Sequence, residues 1–140
     1  MASELKVDKF TGVTTAGSIL VTGEGNSTTT NLQQGLCKCW VQFAGASLSG
    51  TGTTGVDDSF NLTSMTDDNT GRYTVNINND MNNNDYAVHS TVAQSATAIG
   101  DIITNVASLA TGSVQVGCAT RAGNYFDSLV HSVTIHGDLA

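Results

Sequence analysis

The alternation around one cluster of turn formers constrains this chain most. In the stretch DDSFNLTSMTDDNTGRYTVNINN, Asp57–Asn79, the bulky apolar residues are Phe60, Leu62, Met65, Tyr73, Val75 and Ile77. Between them lies Thr66-Asp67-Asp68-Asn69-Thr70-Gly71. After the turn Tyr73, Val75 and Ile77 fall on one face and Arg72, Thr74, Asn76 and Asn78 on the other. A period of two places successive side chains on opposite sides of a strand, so the segment predicts a β-hairpin buried on one side. The predicted loop is longer than two residues and ends in Gly71, which suits one residue at positive φ.

The rest of the composition agrees. Ser, Thr, Asn and Gly supply 60 of the 140 residues, charged residues only 12%, and Pro none. Usage near about 5% would give roughly seven prolines. Thr with Gly and Asn describes short strands and tight turns, whereas long helices would draw on Ala, Leu, Glu and Lys. A chain of this length suits one domain with a short appendage and can bury a core without disulfides. The net charge is −7 with five scattered basic residues, Lys6, Lys9, Lys38, Arg72 and Arg121. No basic patch is present to neutralise phosphates, which argues against nucleic acid and an anionic membrane as partners. No secretory leader pattern opens the chain, and Ile19-Leu20-Val21 is too short to span a bilayer. The sequons Asn26-Ser27-Thr28 and Asn61-Leu62-Thr63 are read as unmodified.

Along the chain, residues 1–35 read as an extended arm. Leu5, Val7 and Phe10 alternate as in a short strand, and Ser18–Thr22 forms another. Strands this brief make no independent domain, so the arm is expected to pair with a neighbouring chain or dock on a larger particle; the alternative is that they extend the sandwich. Residues 36–140 read as an all-β domain, an antiparallel, jelly-roll-like β-sandwich of about six strands. Leu36–Phe43 points Cys37, Cys39, Val41 and Phe43 one way and Lys38, Trp40 and Gln42 the other. Ala44–Val56 is a loop or weak edge strand, and Asn76–Asp85 an Asn-rich turn region. Tyr86–Val92, Ser113–Thr120 and Phe126–His136 are strands, the last with Leu129, His131, Val133 and Ile135 on one face. Ala93–Ala110 has apolar residues near helical spacing but also many Ile, Val and Thr; the expected form is an extended, loop-rich connection.

Four patches carry a resemblance. The hairpin is similar to a DSFNxxSxTDxGTGxYTVN pattern, residues 5–19 to LKVDxxxGxTTAGSI, residues 34–43 to QGxxKAWVNF, and the end to HGDLA. Together they resemble small structural proteins of tailed marine bacteriophages. The family carries a Pro near the position of Met81, in a form like TTAMPDANY, where this chain has Asn82. The resemblance implies a virion protein, a tail-fibre or fibre-tip subunit that is made in the host cytoplasm, assembles as a homotrimer and docks on other virion proteins through its N-terminal arm. Contact with the host surface, including its glycans, is a further implied role. The alternatives are a capsid decoration or head–tail accessory protein, or a carbohydrate-binding module.

No residues assemble into a reactive constellation, so no catalytic, cofactor-binding or metal residue is assigned, no cofactor is expected, and the chain is read as not an enzyme. His131 and His136 are an odd number apart on one strand and point to opposite faces. Asp57-Asp58 and Asp67-Asp68-Asn69 lack the spacing of a calcium loop and read as solvated turn carboxylates. Cys37, Cys39 and Cys118 read as reduced, small apolar residues; a bridge from Cys118 to Cys37 or Cys39 is the alternative, and the C-x-C spacing is not that of a zinc site. Trp40 lies on the strand face opposite Cys39, Val41 and Phe43 and is read as a core or subunit-contact anchor, with Leu5, Val7, Phe10, Ile19 and Val21 of the arm as further contact residues. For a sugar-binding module, the loops Ala44–Val56 and Asn79–Asp85 and the Trp40 ring would supply the contacts.

Overall fold

The structure, a computed structural model, describes residues 4–12, 19–23, 29–94 and 101–140. The chain divides into two compact units, Met1–Leu36 and Cys37–Ala140.

In the first unit, β1 (Leu20–Thr22) pairs antiparallel with β2 (Thr29–Asn31), and one helical turn, α1 (Leu32–Gly35), follows. Residues 4–12 form no strand, contrary to the expectation for Leu5–Phe10. An extended segment becomes a strand only when another strand accepts its hydrogen bonds, and no described strand of this chain pairs with it. Ser18, expected at the start of the next strand, and the sequon at Asn26 lie outside the described residues.

The second unit is an antiparallel β-sandwich, and it follows from alternation. Its strands are β3 (Cys37–Phe43), β4 (Thr51–Gly52), β5 (Val56–Phe60), β6 (Leu62–Asn69), β7 (Arg72–Ile77), β8 (Ala87–Ala93), β9 (Ile102–Ala110), β10 (Ser113–Thr120) and β11 (Val130–His136). A four-stranded sheet runs β5-β3-β11-β8 and a five-stranded sheet β4-β6-β7-β10-β9. The chain passes repeatedly between the sheets, and the unit's first and last strands, β3 and β11, lie side by side, which gives a roll-like winding. Cys39, Val41 and Phe43 of β3, Tyr73, Val75 and Ile77 of β7, Val114, Val116 and Cys118 of β10, and Val133 and Ile135 of β11 all turn inward and are buried. Each fully buried Val or Phe contributes about 1.5–3 kcal/mol relative to exposure, so the inward faces decide which way every strand lies.

Four elements differ from the sequence reading. The first arm of the expected hairpin is two strands in different sheets: Val56–Phe60 pairs with β3, and Leu62–Asn69 pairs with β7. Asn61 makes the corner at φ 58°. Its Nδ2 donates to Lys38 O at 2.9 Å, and its Oδ1 accepts from Asn79 N at 2.9 Å. A left-handed residue breaks the strand, and Asn tolerates that conformation because its side chain bonds locally. The turn is also tighter than expected: pairing continues through Thr66↔Thr74 and Asp67↔Tyr73, with a bulge before Asn69↔Arg72. Thr70-Gly71 then closes it, with Gly71 at φ 65°.

Ile102–Ala110 is a strand along its whole length rather than loop-rich; the preceding residues 95–100 lie outside the described residues. It pairs with β10 at the sheet edge and is largely exposed. Finally, Phe126–Leu129 is not part of β11, and Leu129 is exposed. That segment is held by other bonds: Asp127 Oδ1 accepts from Gly71 N at 2.8 Å and from the Tyr73 hydroxyl at 3.1 Å, and Ser128 N donates to the Tyr73 oxygen at 3.2 Å. Among its described residues the second unit thus has nine strands, where about six were expected, because two very short or edge strands carry no buried periodicity and one apparent arm is divided.

Candidate functional site

Three places hold polar or apolar side chains that the core does not use. The first is the outer face of the four-stranded sheet. Trp40 points away from the core, as its parity with Cys39 and Val41 requires, and is half-buried. Its register neighbours are Phe60 on β5 and Thr134 on β11, and Thr134 is opposite His89. Phe60 is 54% exposed, so Trp40 and Phe60 form an apolar pair on an open face. His89 stands beside His136, ring centroids 6.0 Å apart. Among the described residues no three His, Cys, Asp or Glu side chains gather as metal ligands would.

The arm contributes the second set. Leu5, Phe10, Leu20 and Val21 are more than half exposed, Val7 is exposed, and Ile19 is half-buried, its carbonyl accepting from Leu32 N at 2.9 Å.

A hollow on the outer face of the five-stranded sheet is the third. It holds about 160 Å³, opens to solvent, and is lined by Arg72, Asn105, Ala107, Gln115, Val116, Gly117 and Tyr125. These come from β7, β9, β10 and the segment before β11. The register brings Arg72 and Asn105 to either side of Gly117. Gly117 forms the floor: a Cβ there would fall 2.5 Å from Asn105 Oδ1 and 3.2 Å from Gly71 O. The Arg72 guanidinium lies 4.5 Å from the centroid of the Tyr125 ring and donates to the Tyr125 oxygen at 3.0 Å. Stacking and hydrogen bond together fix both side chains as one wall. Gln115 Nε2 donates to Asp68 Oδ2 at 3.0 Å, an oxygen that also accepts from the Thr74 hydroxyl at 2.6 Å. Asp68 thus bonds two side chains of the outer sheet face while staying exposed to solvent, and Asp58 accepts from Ser59 N at 2.8 Å.

Inside the sandwich sits a polar group the sequence reading placed on the apolar face. His131 is fully buried, stacked 4.9 Å from Phe43 and edge-on to Tyr73 at 5.7 Å. Its Nε2 lies 2.7 Å from Ser90 Oγ, while its Nδ1 has no partner. Burial lowers its pKa to about 4, so the ring is neutral near pH 7. A serine–histidine contact alone does not make a nucleophile: a third group must orient the imidazole, and Nδ1 here meets none. The three cysteines are free. Burial pushes the Cys39 thiol up to about 12, with a smaller contribution from Cys37, and pushes Cys118 to about 11. Both are thiols rather than thiolates near neutral pH, which leaves them unreactive.

The sequence reading singled out Trp40 and the arm residues, and the structure sets all of them outside the core. It did not identify the Arg72–Tyr125 hollow. Arg72 was one member of an alternating face and Gly117 one of fifteen glycines; only pairing across three strands brings them together. Compared with family models, curated proteins and solved structures, the chain matches none.

Proposed function

We propose that this protein is a structural subunit of a larger particle, and from the resemblance of its four sequence patches, a tail-fibre or fibre-tip protein of a tailed bacteriophage that assembles with copies of itself. One observation carries the reading. The apolar side chains of the arm have no core among the described residues: Leu5 is 76% exposed and Phe10 63%, and Val7, Leu20 and Val21 are exposed as well. Apolar groups regularly placed on a segment that lacks a partner strand gain burial only against another surface. Strand addition to a neighbouring edge would supply both the missing hydrogen bonds and that burial. Capsid decoration or a head–tail role would use the same arm.

The test is sedimentation of the full chain beside a Leu5→Ser/Val7→Ser/Phe10→Ser variant and a chain lacking residues 1–30. The full chain should be a stable oligomer, a trimer by the resemblance, and both altered chains should dissociate with an unchanged far-UV circular dichroism signal from the sandwich. Among the described residues the buried apolar cluster starts at Cys39, which makes the shortened chain a fair test. A compact monomer of the full chain at micromolar concentration would overturn the reading.

A carbohydrate-binding role is the second reading. The observation in its favour is the polar hollow beside Tyr125, not the loops Ala44–Val56 and Asn79–Asp85 that the sequence suggested for it.

A further inference from the structure

We infer that the hollow between Arg72, Asn105, Gln115 and Tyr125 is a binding site for one neutral pyranose ring of a glycan. The inference rests on the second reading above and not on assembly. Size comes first. About 160 Å³ is the room of roughly five water molecules and falls below the range of about 300–1,000 Å³ that holds drug-sized ligands. A hollow of that size, open on its outer side, has room for one six-membered ring, with the rest of a glycan lying outside it.

The hydrogen-bonding character comes next. The Asp68 carboxylate only accepts, so Gln115 must turn its Nε2 toward it, which leaves Oε1 as an acceptor. Arg72 has five N–H donors, and one is engaged by the Tyr125 oxygen. Asn105 adds an amide with both a donor and an acceptor end. Such a mixed set suits hydroxyls, each of which donates and accepts. It suits a carboxylate or a fully ionised phosphate ester less, because those groups only accept, and inorganic phosphate near pH 7 is mostly acceptor. The electrostatics agree: Asp68 stands behind Gln115, and the chain carries a net −7, so an anion approaching Arg72 meets opposing charge. The floor supplies the shape. Gly117 has no side chain, and any Cβ there would push Asn105 into the space. The Arg72–Tyr125 contact pre-orients one wall, which reduces the side-chain freedom lost on binding. A single ring on so few groups gives weak affinity, and repetition across several copies in an assembly would raise it by avidity.

The experiment is an NMR titration of the full-length protein, uniformly labelled with nitrogen-15, with the methyl glycosides of glucose, galactose and mannose, and with glucuronate and inorganic phosphate as anionic probes. Saturable shifts at Gly117, Asn105, Gln115 and the Arg72 side chain are expected with at least one neutral glycoside. Gly117→Ala and Arg72→Ala should each weaken that binding by at least about tenfold and leave the amide spectrum of the inner strands in place, while Trp40→Ala should leave the affinity unchanged. Should Gly117→Ala fail to fold, Arg72→Ala, on an exposed side chain, still decides. Sugar binding that survives both hollow variants would overturn this site while leaving a carbohydrate role elsewhere. Absence of any response to neutral sugars, or a response to glucuronate or phosphate alone, would overturn the site and its ligand class.

Discussion

At the scale of single residues, His131 links the core to pH. Its pKa in the folded protein, about 4, lies below its ordinary value of 6.5, so between those values the unfolded chain binds a proton that the folded chain refuses. Stability is therefore complete above about pH 6.5 and falls as the pH drops toward 4, by about 3 kcal/mol in all. Its surroundings, Phe43, Tyr73 and Ser90, offer no carboxylate to hold the imidazolium. Urea unfolding between pH 4.5 and 7.5 checks this: the midpoint should fall with acidification in the natural protein and fall much less in His131→Phe, which keeps the ring stack without the titrating group. Equal slopes would show that other groups carry the acid sensitivity. Tyr73 is the companion residue. Its hydroxyl bonds Asp127, and burial raises its pKa, so it stays a neutral donor to that carboxylate. Asp127→Ala removes the acceptor for both Gly71 N and the Tyr73 hydroxyl and should lower stability by about 2–3 kcal/mol in the same unfolding experiment, because hydrogen bonds to charged groups contribute about 1.5–3 kcal/mol and a buried donor is left unpaired.

At the scale of elements, the strands that were legible are those with one face in the core. Tyr73-Val75-Ile77, Val114-Val116-Cys118 and Val133-Ile135 alternate because burial selects every second residue. Ile102–Ala110 was not legible for the same reason inverted. It is an edge strand, most of its residues are exposed, and its apolar residues stand on both faces, so no period of two survives. The division at Asn61 was hidden as well. Phe60 and Leu62 continue one apolar alternation across it, yet Phe60 faces out from one sheet and Leu62 packs against the core from the other. The corner depends on Asn61, whose amide joins Lys38 and Asn79 across the two sheets. Asn61→Ala should destabilise by about 2–4 kcal/mol through lost hydrogen bonds and a strained φ, and Asn61→Gly, which relieves the strain, by less. Thermal unfolding of the two variants measures the difference; equal losses would assign the corner's role to the side-chain bonds alone.

At the scale of the whole molecule, stability is unevenly placed. The buried cluster lies wholly within Cys39–Ile135, and the described residues of the arm contribute nothing to it. Amide exchange should accordingly be slowest in the paired strands Arg72–Ile77 and Ser113–Thr120, and fast over residues 4–12 in the dissociated chain, with protection of that segment gained only in the oligomer. Protection of residues 4–12 in a monomer would contradict the docking role. The amino-acid sequence by itself determined the class of structure: a proline-free, Thr-rich chain whose apolar residues recur at every second position buries them most readily as a sandwich, since period two is a property of neighbouring residues. Which strand joins which sheet, and the meeting of Arg72, Asn105, Gln115, Gly117 and Tyr125 around one hollow, were decided only in the tertiary structure. Those outcomes rest on hydrogen-bond registers between segments dozens of residues apart, and no local pattern encodes a register.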